Sequence, residues 1–245
     1  VESGVEVTAM LKRLALVLVV VLIVVGVLSE FFLPGLLARG VEQALETTFG
    51  PAGDHRVRLR SYPAVRMLLG HFDDVTITST NVETSTISLE ALAVTLEDAS
   101  VDLRALLAGG DLRVTRSQKT RVTITITQRN LEAYLARNVP GFGDPRVLIT
   151  PEFTVISGYL TVLEREFLCS LSGRFVLADP KTVSFRIEGF SVDDVIVPTE
   201  FLETWLDLLG RPDLSLDLTA FPLPLTGTEV VAEDGQMVIK ATSGQ

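Results

Sequence analysis

The sequence predicts an α+β protein: an N-terminal transmembrane helix, then a large, curved, mainly antiparallel β-sheet or barrel-like wrap with a few amphipathic helices. Three observations predict it. Residues Leu14 to Leu28 are an unbroken apolar run behind the basic pair Lys12-Arg13. Hydrophobicity then recurs with a period of two over most of the chain after Val57. Only short stretches between those alternating segments return to helical spacing.

The apolar run comes first. Its 15 residues reach roughly 22 Å as a helix, short of a hydrocarbon core of roughly 30 Å. Extending the segment through Phe31, Phe32 and Leu33 closes the gap if Ser29 and Glu30 sit near the headgroups. Leu14, Val19, Leu22, Val25 and Leu28 would then face lipid as the membrane anchor. Lys12 and Arg13 before the run place the N-terminus in the cytoplasm and the rest outside. A cleaved signal peptide is the competing reading, but no A-x-A-like site stands near Val27-Leu28-Ser29. The expected organisation is a disordered cytoplasmic extension over 1–10, a transmembrane anchor or signal segment over 11–33 and an extracytoplasmic domain over 34–245. That corresponds to a single-pass protein of the cytoplasmic membrane.

Between Pro34 and Thr48, Leu37, Val41, Ala44, Leu45 and Thr48 recur at helical spacing, with Arg39, Glu42, Gln43 and Glu46 on the other face. This helix should dock on the domain and stop at Gly50-Pro51-Ala52-Gly53. The period then becomes two. Val57 and Leu59 alternate with arginines, Val75 and Ile77 with threonines, and Ile87 and Leu89 lead into Leu92, Val94 and Leu96. The clearest case is Arg121 to Thr127, with Val122, Ile124 and Ile126 on one face and threonines on the other. Similar alternation predicts strands over 146–150, 152–157, 159–163, 167–171, 174–177, 183–187, 194–197, 214–219, 228–232 and 237–241.

Three amphipathic stretches interrupt them: Asp102 to Ala108, Gln128 to Asn138 and Pro198 to Leu209. No linker rich in Pro, Gly or Ser divides 57–241, so one extended domain is the simpler reading.

Composition excludes several functions. The protein carries a net charge of −10; the first thirty residues hold Lys12, Arg13, Glu2, Glu6 and Glu30, which leaves the remainder at about −9. That sign opposes nucleic acid and anionic membrane surfaces, so any lipid contact must be apolar and local. A lone cysteine, Cys169, forbids an intramolecular disulfide and reads as a small core residue. His55 and His71 stand in no zinc-binding spacing, and no nucleophile elbow, phosphate loop or dinucleotide fingerprint occurs. Asp73-Asp74 and Asp193-Asp194 could serve as ligands or an acid/base pair, but each falls between strand-like segments, where aspartate builds turns. Gly70 and Gly189 should supply bends at similar corners. No catalytic residue, metal or cofactor is expected, and the chain does not read as an enzyme.

Aromatic residues concentrate toward the end of the chain. Phe201 and Trp205 are four apart and share a helical face with Leu208 and Leu209. Such a face packs on the sheet, walls a cavity, or dips into a leaflet. Phe221-Pro222-Leu223-Pro224-Leu225 holds two prolines that cannot donate to a ladder, which assigns it to a sheet edge or opening.

Several segments carry a resemblance: Val41-Glu42-Gln43-Ala44-Leu45; Tyr62-Pro63 with Leu69-Gly70-His71-Phe72-Asp73-Asp74-Val75; Thr125 to Leu135; and Phe221 to Leu225 ahead of Glu233-Asp234-Gly235-Gln236-Met237. In this order of features the chain resembles the LmeA-like phospholipid-binding family of bacterial envelope proteins. The resemblance implies an envelope protein that binds phospholipid and supports lipid or lipoglycan metabolism. It also implies an elongated sheet wrapped about helices, as in tubular lipid-binding domains, and supplies no catalytic residue. With it, Phe190, Val195, Phe201, Trp205, Leu206 and Phe221 are expected near an acyl-chain cavity. The expected partners are a phospholipid or other acyl-chain lipid, the membrane and an envelope protein. The rival expectations are an anchored scaffold or assembly factor with a filled interior, and an accessory to a glycosyl-transfer enzyme in which Asp73, Asp74, Asp193 and Asp194 would converge.

Overall fold

The computed structural model describes residues 30, 32–42, 54–84, 87–102, 114–139, 141–162, 165–198, 215–220 and 225–243. A helix, α1 (32–42), precedes β1 (His55–Arg60), a 3-10 helix (Ala64–Leu69), β2 (His71–Glu83), β3 (Ser88–Val101), β4 (Val114–Arg116) and β5 (Lys119–Thr127). Then come α2 (Gln128–Asn138), β6 (Phe142–Ile149), β7 (Thr154–Val162), β8 (Arg165–Asp179), β9 (Thr182–Val192) and β10 (Val195–Ile196). The chain continues through β11 (Ser215–Asp217), a second 3-10 turn (Leu218–Ala220), β12 (Leu225–Glu233) and β13 (Gln236–Ser243). One sheet runs β1-β2-β3-β5-β13-β12 with β4 beside β3; the other runs β10-β9-β8-β7-β6 with β11 beside β9. The fold is thus mainly antiparallel sheet with few helices, as the alternation predicts. Among the described residues no helix is long and apolar enough to cross a membrane. The anchor expected from Leu14 to Leu28 lies outside the described residues, as do the stretches 103–110 and 199–214.

The chain divides into two compact units. The first comprises Val1–Ala44, Val57–Thr76 and Glu97–Gln118; the second comprises Leu45–Arg56, Ile77–Leu96 and Lys119–Gln245.

In the first unit, carboxylates from around α1 satisfy backbone donors. Glu30 accepts from the Ala64 N–H at 2.9 Å and Glu42 from the Val57 N–H at 3.1 Å. The 3-10 helix follows a cis Tyr62-Pro63 peptide and buries Ala64 and Met67. It ends at Gly70, whose φ of 79° is the left-handed conformation open to glycine, and the Gly70 carbonyl accepts from the Val101 N–H at 2.8 Å. Asp73 and Asp74 correct the expectation of a turn: both lie within β2. The Asp73 carboxylate accepts from the Tyr62 N–H at 2.7 Å and pairs with Arg66 at 2.9 Å, so it fixes the 3-10 helix against the strand.

The second unit is built on the strand whose alternation is cleanest. Val122, Ile124 and Ile126 of β5 are buried and stand opposite Ala241, Ile239 and Met237 of β13, while the threonines between them are only partly covered. Each such side chain contributes roughly 1.5–3 kcal/mol by leaving water. In the other sheet, β8 and β9 place Cys169 and Leu171 opposite Val192 and Phe190. The ladder slips between Ser172 and Gly173, leaving Glu188 as the extra residue of a bulge. The slip shifts the inward parity of β9 from Val183 and Phe185 to Phe190, so Gly189 serves a strand bulge and not a positive-φ corner. Asp193 and Asp194 do form the expected turn, with φ of 49° and 65°, between the two-stranded pair β9 and β10. The Asp193 carboxylate also accepts from the Leu168 N–H at 2.9 Å.

Helix α2 has the bounds the sequence predicts. Thr127 caps it reciprocally: its hydroxyl accepts from the Asn130 N–H, and the Asn130 side chain accepts from the Thr127 N–H. The helix then guards the edge strand β6. Gln128 and Glu132 accept the N–H groups of Ile149 and Val147 at 2.9 and 3.0 Å. Four helical residues rise about 6 Å and two strand residues about 6.6 Å, so an i, i+4 pair on the helix matches an i, i+2 pair on the edge. Gly235, in the β12–β13 turn, donates to the Ile149 carbonyl at 3.0 Å and accepts from the Gln128 N–H at 3.1 Å. These bonds tie the two sheets together within this unit.

Two predictions follow from this packing. Gln128→Ala and Glu132→Ala should each lower stability in urea by roughly 1–3 kcal/mol, because each strands a β6 N–H. Glu132→Gln keeps an acceptor and should cost clearly less; equal losses for the two Glu132 variants would show that the charge matters and the N–H does not. The second concerns Cys169, whose thiol is pushed up first by burial and then by the Asp193 carboxylate. Below the ordinary thiol range both folded and unfolded chains keep the proton. Above about pH 8.5 the unfolded chain ionises first, so stability should fall as pH rises through the folded value. A Cys169→Ala variant should lose that alkaline slope in denaturant titrations across pH, and the native thiol should resist alkylation until the protein is unfolded.

Candidate functional site

The alternation that builds the sheets also builds an apolar seam inside the second unit. One wall comes from the first sheet, with Ile126 of β5 and Met237 of β13, joined by Ile87 just ahead of β3. Facing it are Ile156 of β7, Phe175 of β8, Val183 of β9 and Leu216 of β11. Helix α2 contributes Leu131, Tyr134 and Leu135, three residues on one helical face. Phe175 and Phe185 stand opposite each other in the ladder, their rings 5.1 Å apart at 54°, which stiffens this wall.

The cavity lined by these residues measures about 30 Å³. That is room for no more than a couple of water molecules, whereas ligand pockets run to roughly 300–1,000 Å³. Tyr134 and Ser215 bring the polar atoms to an otherwise hydrocarbon surface. Such a surface can solvate an acyl chain if its walls part.

The residues expected near a lipid distribute unevenly. Phe190 is buried in β9 opposite Leu171, and Val195 is 67% exposed in β10 beside Ile196 at 83%. Neither lines the cavity. Phe201, Trp205, Leu206 and Phe221 lie outside the described residues, as do the anchor positions Leu14, Val19, Leu22, Val25 and Leu28. The cavity-lining residues were visible in the sequence as two separate patterns, the alternation of 121–127 and the Leu131, Tyr134, Leu135 face. What brings them together is the pairing of β5 with β13 and the seating of α2 on β6, contacts distant in sequence.

The remaining chemistry-bearing side chains are engaged in structure. His55 Nδ1 lies 2.9 Å from the Ser79 hydroxyl and His71 Nδ1 lies 3.1 Å from that of Ser100. Asp73 and Asp74 belong to the first unit and Asp193 and Asp194 to the second. Among the described residues no group of three or more His, Cys, Asp or Glu is placed to hold a metal ion.

Comparison with known families finds one match of broad extent: the model described as LmeA-like phospholipid-binding covers residues 28–242. Comparisons with curated proteins and with solved structures give no match. The matched span takes in α2, the cavity-lining residues and, except for Ser243 at the end of β13, both sheets; of the region following the apolar run only residues 243–245 fall outside it. The chain belongs to the LmeA-like phospholipid-binding family.

Proposed function

We propose that the protein is a non-enzymatic phospholipid binder, tethered to the outer face of the cytoplasmic membrane by residues 11–33, that supports envelope lipid or lipoglycan metabolism or transport. The observation that carries the reading is the apolar seam between the two sheets of the second unit, in a chain whose family is defined by phospholipid binding. At 30 Å³ the seam is closed to a whole acyl chain, so lipid enters by separating α2 and β11 from the sheets. Each buried methylene is worth about 0.8 kcal/mol, and ten of them would supply roughly 8 kcal/mol toward extracting a chain from a bilayer. Phe190, Val195, Phe201, Trp205, Leu206 and Phe221 complete the acyl-chain site in this proposal, with the polar headgroup left at the mouth.

A second reading, an anchored scaffold that pairs with an envelope protein, has its own support. The small cavity volume favours a filled interior, and the exposed Val195 and Ile196 present an apolar hairpin at one side of the second sheet.

Mass spectrometry of the chain purified from a native-like host separates the two. Phospholipid should copurify in stoichiometric amount, and Ile156→Phe, which fills the seam, should abolish it while costing about 1–3 kcal/mol of stability and leaving the circular dichroism spectrum unchanged. Protein that carries no lipid and takes up none from vesicles would leave only the scaffold.

A further inference from the structure

Among its described residues the first unit exposes a set of large apolar side chains. The segment around the 3-10 helix follows a period of three: Ser61, Ala64, Met67 and Gly70 are buried, whereas Tyr62, Val65 and Leu68 point outward at 80%, 50% and 57% exposure. Leu69 adds another exposed side chain, and the neighbouring Arg66 is neutralised by Asp73. On α1, Phe32 and Leu36 lie four residues apart and are exposed as well. The Glu30 carboxylate holds the Ala64 N–H at 2.9 Å, which fixes the start of the 3-10 helix beside the start of α1.

We propose that Phe32, Leu36, Tyr62, Val65, Leu68 and Leu69 form a docking surface that inserts into the lipid headgroup region of the membrane carrying the anchor. The argument for lipid as the occupant is the position of the chain. Phe32 follows Leu28, the end of the apolar run, by four residues, so in any conformation it lies within roughly 14 Å of that end. If the run spans the bilayer, which rests on the function proposed above, Phe32 stays at the interface, and the bond from the Ala64 N–H to Glu30 keeps the start of the 3-10 helix near it. A surface of exposed apolar side chains with a tyrosine suits that depth. The acidic chain repels anionic surfaces, so attachment is hydrophobic and needs no anionic lipid.

The test uses the full chain in phosphatidylcholine vesicles, with an environment-sensitive fluorophore attached through V65C or L68C; the native thiol of Cys169 is buried and stays unlabelled. Both labels should emit at blue-shifted wavelength and lose most of their intensity when lipids carrying a doxyl quencher are included, with no change on raising salt. Adding Leu69→Glu to the V65C chain should return the label to water. Water-like emission from a chain that remains in the vesicles would overturn the docking surface and leave the anchor standing. Blue-shifted emission that doxyl lipids do not quench would mean that protein, a second copy or a partner, covers the surface, and would overturn it too. A chain that washes off the vesicles would remove the anchor and this inference together, while copurified lipid would still report on the seam.

Discussion

A sheet that stops must do something with the backbone groups of its last strand. In the second unit that demand falls on β6, and the answer organises its neighbours. Gln128 and Glu132 take up two of its N–H groups and Gly235 takes up a carbonyl, so one short strand fixes both the seat of α2 and the position of the β12–β13 turn. These bonds seat α2, one wall of the apolar seam, against β6 and the β12–β13 turn. A bare edge would leave unsatisfied donors and a template for pairing with another chain.

Much of this was legible locally. Strands β1, β5 and β13 and the whole of α2 follow from periodicity alone, since a half-buried strand and a capped helix write their burial directly into the sequence. Breaks in pattern were harder. The run 167–177 reads as two strands and is one, β8, because Gly173, which interrupts the apolar pattern, is itself a buried ladder position opposite Ile187, and the bulge that shifts parity lies across from it in β9. Similarly 152–157 and 159–163 join through Gly158, over which the Phe142 ring packs. Asp73-Asp74 read as a turn and sits in a strand, because Tyr62 and Arg66 supply the partners that a turn would otherwise provide.

The site was legible in a weaker sense. The residues that line the seam could be named as core, but their convergence depends on pairings between segments about a hundred residues apart, such as β5 with β13. The aromatic cluster near the end of the chain drew attention because aromatic side chains carry large apolar area. In the described part of the second unit, the cavity is lined mostly by aliphatic residues and α2, with Phe175 of β8 as the aromatic contribution from the sheets.

The order in which the chain visits its two units carries a further consequence. The first is assembled from three separated stretches, with parts of the second threaded between them. No single cut of the gene yields either unit whole, and a ribosome must have released Gln118 before the first can close. Folding is therefore committed to late, long-range contacts, a regime in which exposed strands wait for their partners. A chain of this design leaves strand edges unpaired during that wait for longer than its modest length would indicate.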